Sequence, residues 1–209
     1  MSLHPPDLQP GEAAALAART AARAADEGAA EVAYAVLDGP AGRLVAAATP
    51  RGLLRIAYEL DDAGLDTILD QIAARLSPRI VEAPARLDGV RRELDEYFDG
   101  RRRDFGLALD WRLVGAGFAR RVLEATARIP FGATSTYAGV AGAAGSPKAF
   151  RAAGNALGSN PIPIVVPCHR VLASGGKLGG YTGGLARKRL LLGIEGVPAG
   201  GQLTLPAGA

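Results

Sequence analysis

The chain's single cysteine, Cys168, stands directly before one of its two histidines, His169, in the run PIPIVVPCHRVL over residues 161–172. A thiol reacts as its thiolate, and a neighbouring base or cation lowers its pKa into a useful range. The pair is therefore a candidate nucleophile and base. Adjacency is awkward for direct contact, because neighbouring side chains in extended chain point apart. A bridging water or a tight turn at 168–169 is required. Taken alone, a lone cysteine is more often an inert buried residue. Pro161, Pro163 and Pro167 argue against a central strand, and the apolar residues between them argue against a solvated loop. The run reads as buried, stiff, extended chain that delivers Cys168 and His169 to a fixed place.

Two further features lie downstream. The stretch 173–184 is glycine-rich, with Gly179, Gly180, Gly183 and Gly184 around Tyr181 and Thr182, but it lacks the spacing of a P-loop or dinucleotide fingerprint. Such glycines let backbone approach a flat ligand or another segment. Tyr181 could stack, hydrogen-bond or pack into the core. Glu195 shares a helical face with Lys188 and with Leu191 or Leu192, so its carboxylate can point inward; a solvated C-terminal glutamate is the plain alternative. One cysteine excludes an internal disulfide and a multi-cysteine zinc cluster, and His4 and His169 leave little for a metal. No metal and no cofactor are expected.

These residues need a scaffold. At 209 residues the chain suits one domain or two small ones. Aromatics are only 5%, so Ala, Leu, Val and Ile must carry the core. No apolar run approaches a membrane span, and MSLHPPDLQP does not read as a secretory signal, so a cytoplasmic location and no membrane partner are expected. Charge is unevenly placed: residues 119–209 hold ten Lys/Arg against Glu124 and Glu195, a balance of +8, while residues 1–118 balance at −5. That asymmetry suits a polyanion partner for the second half, or is an accident of domain composition.

The expected fold class is α/β (α+β). Residues 1–30 form an Ala-rich extension, partly disordered or helical. Residues 31–112 form a small α/β domain: an antiparallel meander of strands at 32–37, 43–49 and 53–59, then helices at 61–76 and 86–98, with alternation at Phe105, Leu107 and Leu109 suggesting another strand. Residues 113–198 are mostly helical, with an apolar stripe Phe118, Val122, Ala125 and Ile129. Helices at 135–144 and 147–158 meet at Gly145-Ser146, where Ser146 fits an N-cap and Pro147 the first helical position. That is a helix-turn-helix signature, though an ordinary helical hairpin has the same spacing. A final helix spans 185–195, and 199–209 is a flexible tail.

The segment IPFGATSTYAGVAGAAGSPKAFRAAGNALGSNPIPIVVPCHRV (129–171), with Gly180-Tyr181-Thr182-Gly183-Gly184 after it, resembles the O6-alkylguanine-DNA alkyltransferases. The resemblance is strong from about 114 to 196, weaker over 32–110, and does not extend to residues 1–30. It implies a single-turnover repair protein that binds duplex DNA in the minor groove and flips the damaged nucleotide into a pocket. By the match, Cys168 would take the alkyl group of O6-alkylguanine, and of O4-alkylthymine, as a thioether. His169 would act through water, oriented by Glu195, and Asn160 would brace the Cys168 segment. Arg151 would fill the vacated space in the duplex. Tyr137 would press on the phosphate, and Ser146, Lys148, Ala152 and Gly154 would face the DNA. Tyr137, Leu157, Val171, Tyr181, Thr182 and Gly183 would line the pocket. The implied partner is double-stranded DNA containing O6-alkylguanine, bound by a monomer, with cooperativity on DNA left open.

Three departures stand out. Phe150 is bulky where some relatives carry a small residue on the groove-facing helix, and its direction is open. Gly158 lacks a basic side chain that some relatives place there. The N-terminal zinc site of some relatives has no cysteines to build it. Two other functions compete: a non-catalytic lesion-binding protein of the same fold, against which the presence of Cys168 counts, and a cysteine hydrolase, for which adjacent Cys168 and His169 are poor dyad geometry.

Overall fold

The computed structural model describes residues 30–58 and 62–198, with six helical positions between Gly11 and Arg23. The rest of the extension expected over 1–30 and the tail expected over 199–209 lie outside the described residues. Strands β1 (Val32–Leu37), β2 (Leu44–Thr49) and β3 (Gly52–Tyr58) form the antiparallel meander, and β4 (Ile80–Glu82) joins parallel to β1, giving the order β3-β2-β1-β4. Strand side chains alternate between faces. Val32, Val45, Ala47 and Leu54 point to one face, against Ile68 and Ile72 of helix α1 (Asp62–Arg75). Ala33, Ala35, Leu37, Leu44, Ala46, Leu53 and Ile56 point to the other, where they share one continuous core with the second half of the chain.

The expected strand over 105–109 reduces to one bridge, Leu53 to Leu109. The Gly106 amide bonds the Glu93 carboxylate (2.8 Å), which ties this stretch to helix α2 (Asp88–Phe98) instead of a ladder. The short β4, set between Pro78 and Pro84, had no readable alternation.

In the second half, helix α3 (Phe118–Ala127) packs through Val122, Leu123, Ala125 and Thr126 against α4 (Tyr137–Ala143) and α5 (Phe150–Gly158). Helices α4 and α5 are the helix-turn-helix pair. Ser146 does not cap α5 as the sequence suggests. Its amide closes α4 on the Ala141 carbonyl (2.9 Å) beside Gly145 at φ +81°, and its carbonyl accepts from the Ala149 amide (2.9 Å). Pro147 therefore sits in the turn, and α5 begins at Phe150 with Ala149 at its cap. Strands β5 (Ser135–Thr136) and β6 (Val171–Leu172) pair in parallel, and helix α6 (Leu185–Ile194) closes the fold.

Candidate active site

The run 161–167 is neither strand nor solvated loop. Ile162, Ile164 and Val166 are fully buried. Asn160 closes the run on itself: its Nδ2 donates to the Val166 carbonyl (2.8 Å), and its Oδ1 accepts from the Ile162 amide (3.0 Å). Ile164 takes φ +74°, a left-handed conformation costly for a β-branched residue and held by burial on all sides. The Pro161 carbonyl accepts from the Ile56 amide of β3 (2.8 Å), so the run is docked on the sheet of the first half.

Cys168 opens a 3-10 turn, Cys168–Arg170, which supplies the tight turn that adjacency demands. Burial pushes the Cys168 thiol up, against the opposing pull of the Asn160 amide and the Lys188 ammonium. The resting group is thus a thiol at neutral pH.

His169 is fully buried. Its Nε2 lies 2.8 Å from Glu195 Oε1, and burial outweighs that carboxylate in holding its pKa below the ordinary value. The imidazole is neutral at pH 7, with the Nε2 proton directed at Glu195 and Nδ1 left as acceptor. Nδ1 is buried with no hydrogen-bond partner among the described residues.

Glu195 accepts further bonds from Arg170 Nε (2.9 Å to Oε2), Arg170 Nη2 (2.9 Å), the Tyr97 hydroxyl (2.8 Å) and the Gly132 amide (3.1 Å). Burial works to raise this carboxyl, yet the bonds from His169 and Arg170 win and bring it down to about 2. The carboxylate is a fixed anion in the interior.

A cavity of about 330 Å³ opens above the thiol, lined by Tyr137, Gly154, Leu157, Gly158, Cys168, Gly180, Tyr181 and Thr182. The structure thus brings Tyr137, Leu157, Tyr181 and Thr182 together at Cys168. Val171 and Gly183 do not line this cavity. The Val171 carbonyl accepts from Lys188 Nζ (2.6 Å), and Gly183 lies against the Tyr58 ring, where a Cβ would come within 2.4 Å. On the outer surface, Lys148, Arg151 and Ala152 are exposed, while Ser146 and Gly154 are half-buried. Phe150 points outward, 47% exposed, which settles its direction. Among the described residues no group of His, Cys, Asp and Glu could hold a metal ion.

Two family models match the chain. The 6-O-methylguanine DNA methyltransferase DNA-binding domain covers residues 117–197, and the ribonuclease-like domain of the same proteins covers 32–111. The chain belongs to the 6-O-methylguanine DNA methyltransferase family. It is a DNA-repair alkyltransferase with a DNA-binding half of helix-turn-helix type. The methylated-DNA–protein-cysteine methyltransferase of Mycolicibacterium paratuberculosis is 42% identical over 163 residues, covering 75% of this chain and 94% of that protein. The Methanosarcina barkeri protein of the same name is 35% identical, over 78% and 96%. Among solved structures, Mycobacterium tuberculosis OGT in complex with DNA aligns with TM-score 0.67 and 36% identity, covering 80% of this chain and 96% of that one.

Several residues around Cys168 escaped the sequence reading. Tyr97 arrives from α2 in the other half of the chain, and its only trace was an inward position on an amphipathic helix. Arg170 follows the Cys-His pair, but a cation there carries no sign of its acidic partner 25 residues on. Lys188 was visible on the Glu195 face, and it is fully buried, bonding the carbonyls of Val171, Leu178 and Gly180. Tyr58 reaches from β3 to bond the Tyr181 hydroxyl (2.6 Å).

Proposed function

We propose that this alkyltransferase moves the alkyl group of O6-alkylguanine, and of O4-alkylthymine, from duplex DNA onto its own Cys168, once per molecule. The observation that carries this reading is that its only cysteine lines a cavity whose other walls include Tyr137 of α4 and Gly154 and Leu157 of α5, the helix-turn-helix pair. A base rotated out of the stack from that interface meets the thiol directly. Arg151, exposed on α5, fills the space the base leaves, with Lys148, Ser146, Ala152 and Gly154 against the backbone and groove.

In this reading His169 Nδ1 receives the thiol proton through a bridging water, and the ionised Glu195 stabilises the imidazolium that results. The sulfur–carbon bond forms as the carbon–O6 bond breaks, and the electron pair stays on guanine. Guanine takes a proton at N1, which balances the one lost from the thiol. A thioether is a poor leaving group, so nothing regenerates Cys168. One chain carries every group named, so a monomer suffices. A free thiol suits a reducing compartment, and we assign the protein to the cytoplasm.

Intact mass after incubation with a duplex containing one O6-methylguanine tests the reading. The expected result is a gain of one methyl, mapped to Cys168 and saturating at one per chain, with no gain for Cys168→Ser despite retained DNA binding. Tight lesion binding without mass gain would favour a lesion-binding protein instead.

A further inference from the structure

Among the described residues only three large hydrophobic side chains are exposed: Leu16, Leu185 and Phe150, the only aromatic of the three. Phe150 is the first residue of α5. It shares a depression of about 460 Å³ with Tyr137, Ala138, Gly154, Ala173 and Ser174. Tyr137 and Gly154 also line the Cys168 cavity, so the ring stands at the rim of that cavity's approach. The Arg151 guanidinium lies 5.5 Å from the Phe150 ring centroid, and no carboxylate pairs with Arg151 among the described residues. The cation and the ring thus lie side by side on the face that the proposed function turns toward DNA.

A single exposed apolar side chain is common on protein surfaces, but this ring stands among cations on the helix that the proposed function sets against DNA, where a flat apolar face has a use. On this face the candidate cover is nucleic acid, because the flanking charges are Lys148 and Arg151 and the half-chain carries a balance of +8. Small-groove binders commonly insert an apolar side chain at a base step and unstack it. Removing one base from the stack leaves its neighbour with an uncovered π-face, and an aromatic ring is a good substitute surface for it.

We propose that Phe150 is a second wedge: its ring enters the minor groove beside Arg151 and stacks on the base adjacent to the one withdrawn toward Cys168. This rests on the functional reading above and adds to it a residue that holds the opened duplex. Arg151 supplies charge in the vacated space, and Phe150 supplies a flat apolar surface for the neighbouring base.

The test compares Phe150→Ala and Phe150→Trp with the unaltered protein on two substrates, a duplex with one O6-methylguanine and free O6-benzylguanine. The substituted position is exposed and helical, so alanine keeps the fold. The duplex-to-free-base rate ratio falls about tenfold for Phe150→Ala, in line with the loss of one base–aromatic stack, and is kept by Phe150→Trp. With 2-aminopurine as the flanking base, its fluorescence on complex formation is higher for Phe150→Ala than for the unaltered protein. An abasic flanking position removes the difference between the two proteins. An unchanged ratio and unchanged fluorescence for Phe150→Ala, in a protein that still transfers methyl, would overturn the wedge alone. An unaltered protein that gains no methyl yet shows the Phe150-dependent fluorescence keeps the wedge and removes the transfer reading.

Discussion

The Tyr97 hydroxyl donates to Glu195 Oε1 across 2.8 Å, joining α2 of the first half to the carboxylate that orients His169 in the second. Tyr97 is fully buried, and Phe98, Phe105 and Phe131 surround its ring. Tyr97→Phe keeps that packing and removes only the donor. Glu195 then loses a bond that favours its charged form, so its pKa rises. Stability falls by about 1–2 kcal/mol. The acid limb of the rate with free O6-benzylguanine moves to higher pH, which a pH-rate profile reads directly. Lost stability with an unmoved acid limb would leave Tyr97 a structural contact only.

Glu195 and His169 both tie stability to pH, with the same sign. The carboxyl is held near 2 in the fold against an ordinary 4.5, so its contribution is full above the unfolded value and is lost as pH falls toward 2. The His169 pKa is lowered in the fold, so the unfolded chain takes up that proton first and stability drops as pH falls below about 6.5. Glu195→Gln leaves Arg170 buried without its anion, costing about 3–5 kcal/mol. It also removes the carboxylate part of the acid dependence, and raises the apparent pKa for alkylation of Cys168. Urea unfolding across a pH series, together with iodoacetamide rates, measures all three. An unchanged alkylation profile would take Glu195 out of the relay.

Much of the scaffold was legible. The near-continuous apolar runs of β1 and β2 are a strand signature because both faces are covered, one by α1 and the other by the main core. The pairing of His169 with Glu195 was legible through a resemblance rather than through spacing, since nothing local in the sequence links residues 26 apart. What stayed hidden depends on contacts between distant segments. Tyr97 and Glu195 are 98 residues apart, and Tyr58 and Tyr181 are 123 apart. The start of α5 was misplaced because Ser146 looks like a cap from sequence, while its amide is already engaged in ending α4.

Lys188 is the buried cation nearest in effect to the thiol. Burial brings its pKa down to about 8, opposed by attraction to Cys168. Lys188→Met keeps the length of the side chain and deletes the charge and its three carbonyl bonds. The apparent pKa of Cys168 rises, and the 178–180 loop loses its anchor, at a cost of about 2–4 kcal/mol. Thiol alkylation against pH and thermal unfolding separate the two effects. A thiol profile identical to that of the unaltered protein would confine Lys188 to holding the loop.

The Asn160 side chain, bonded at both ends to the backbone of residues 162 and 166, does in this one-cysteine chain what a covalent cross-link does in others. It closes a small ring around Ile164 and fixes the reach of Cys168 before any substrate arrives. On the proposed function, the nucleophile then has no segment of its own to rearrange. In that reading the search for a reactive geometry falls to the DNA, whose damaged nucleotide must leave its stack. The amides of Ile162 and Val166 would then exchange with solvent only when the whole molecule unfolds.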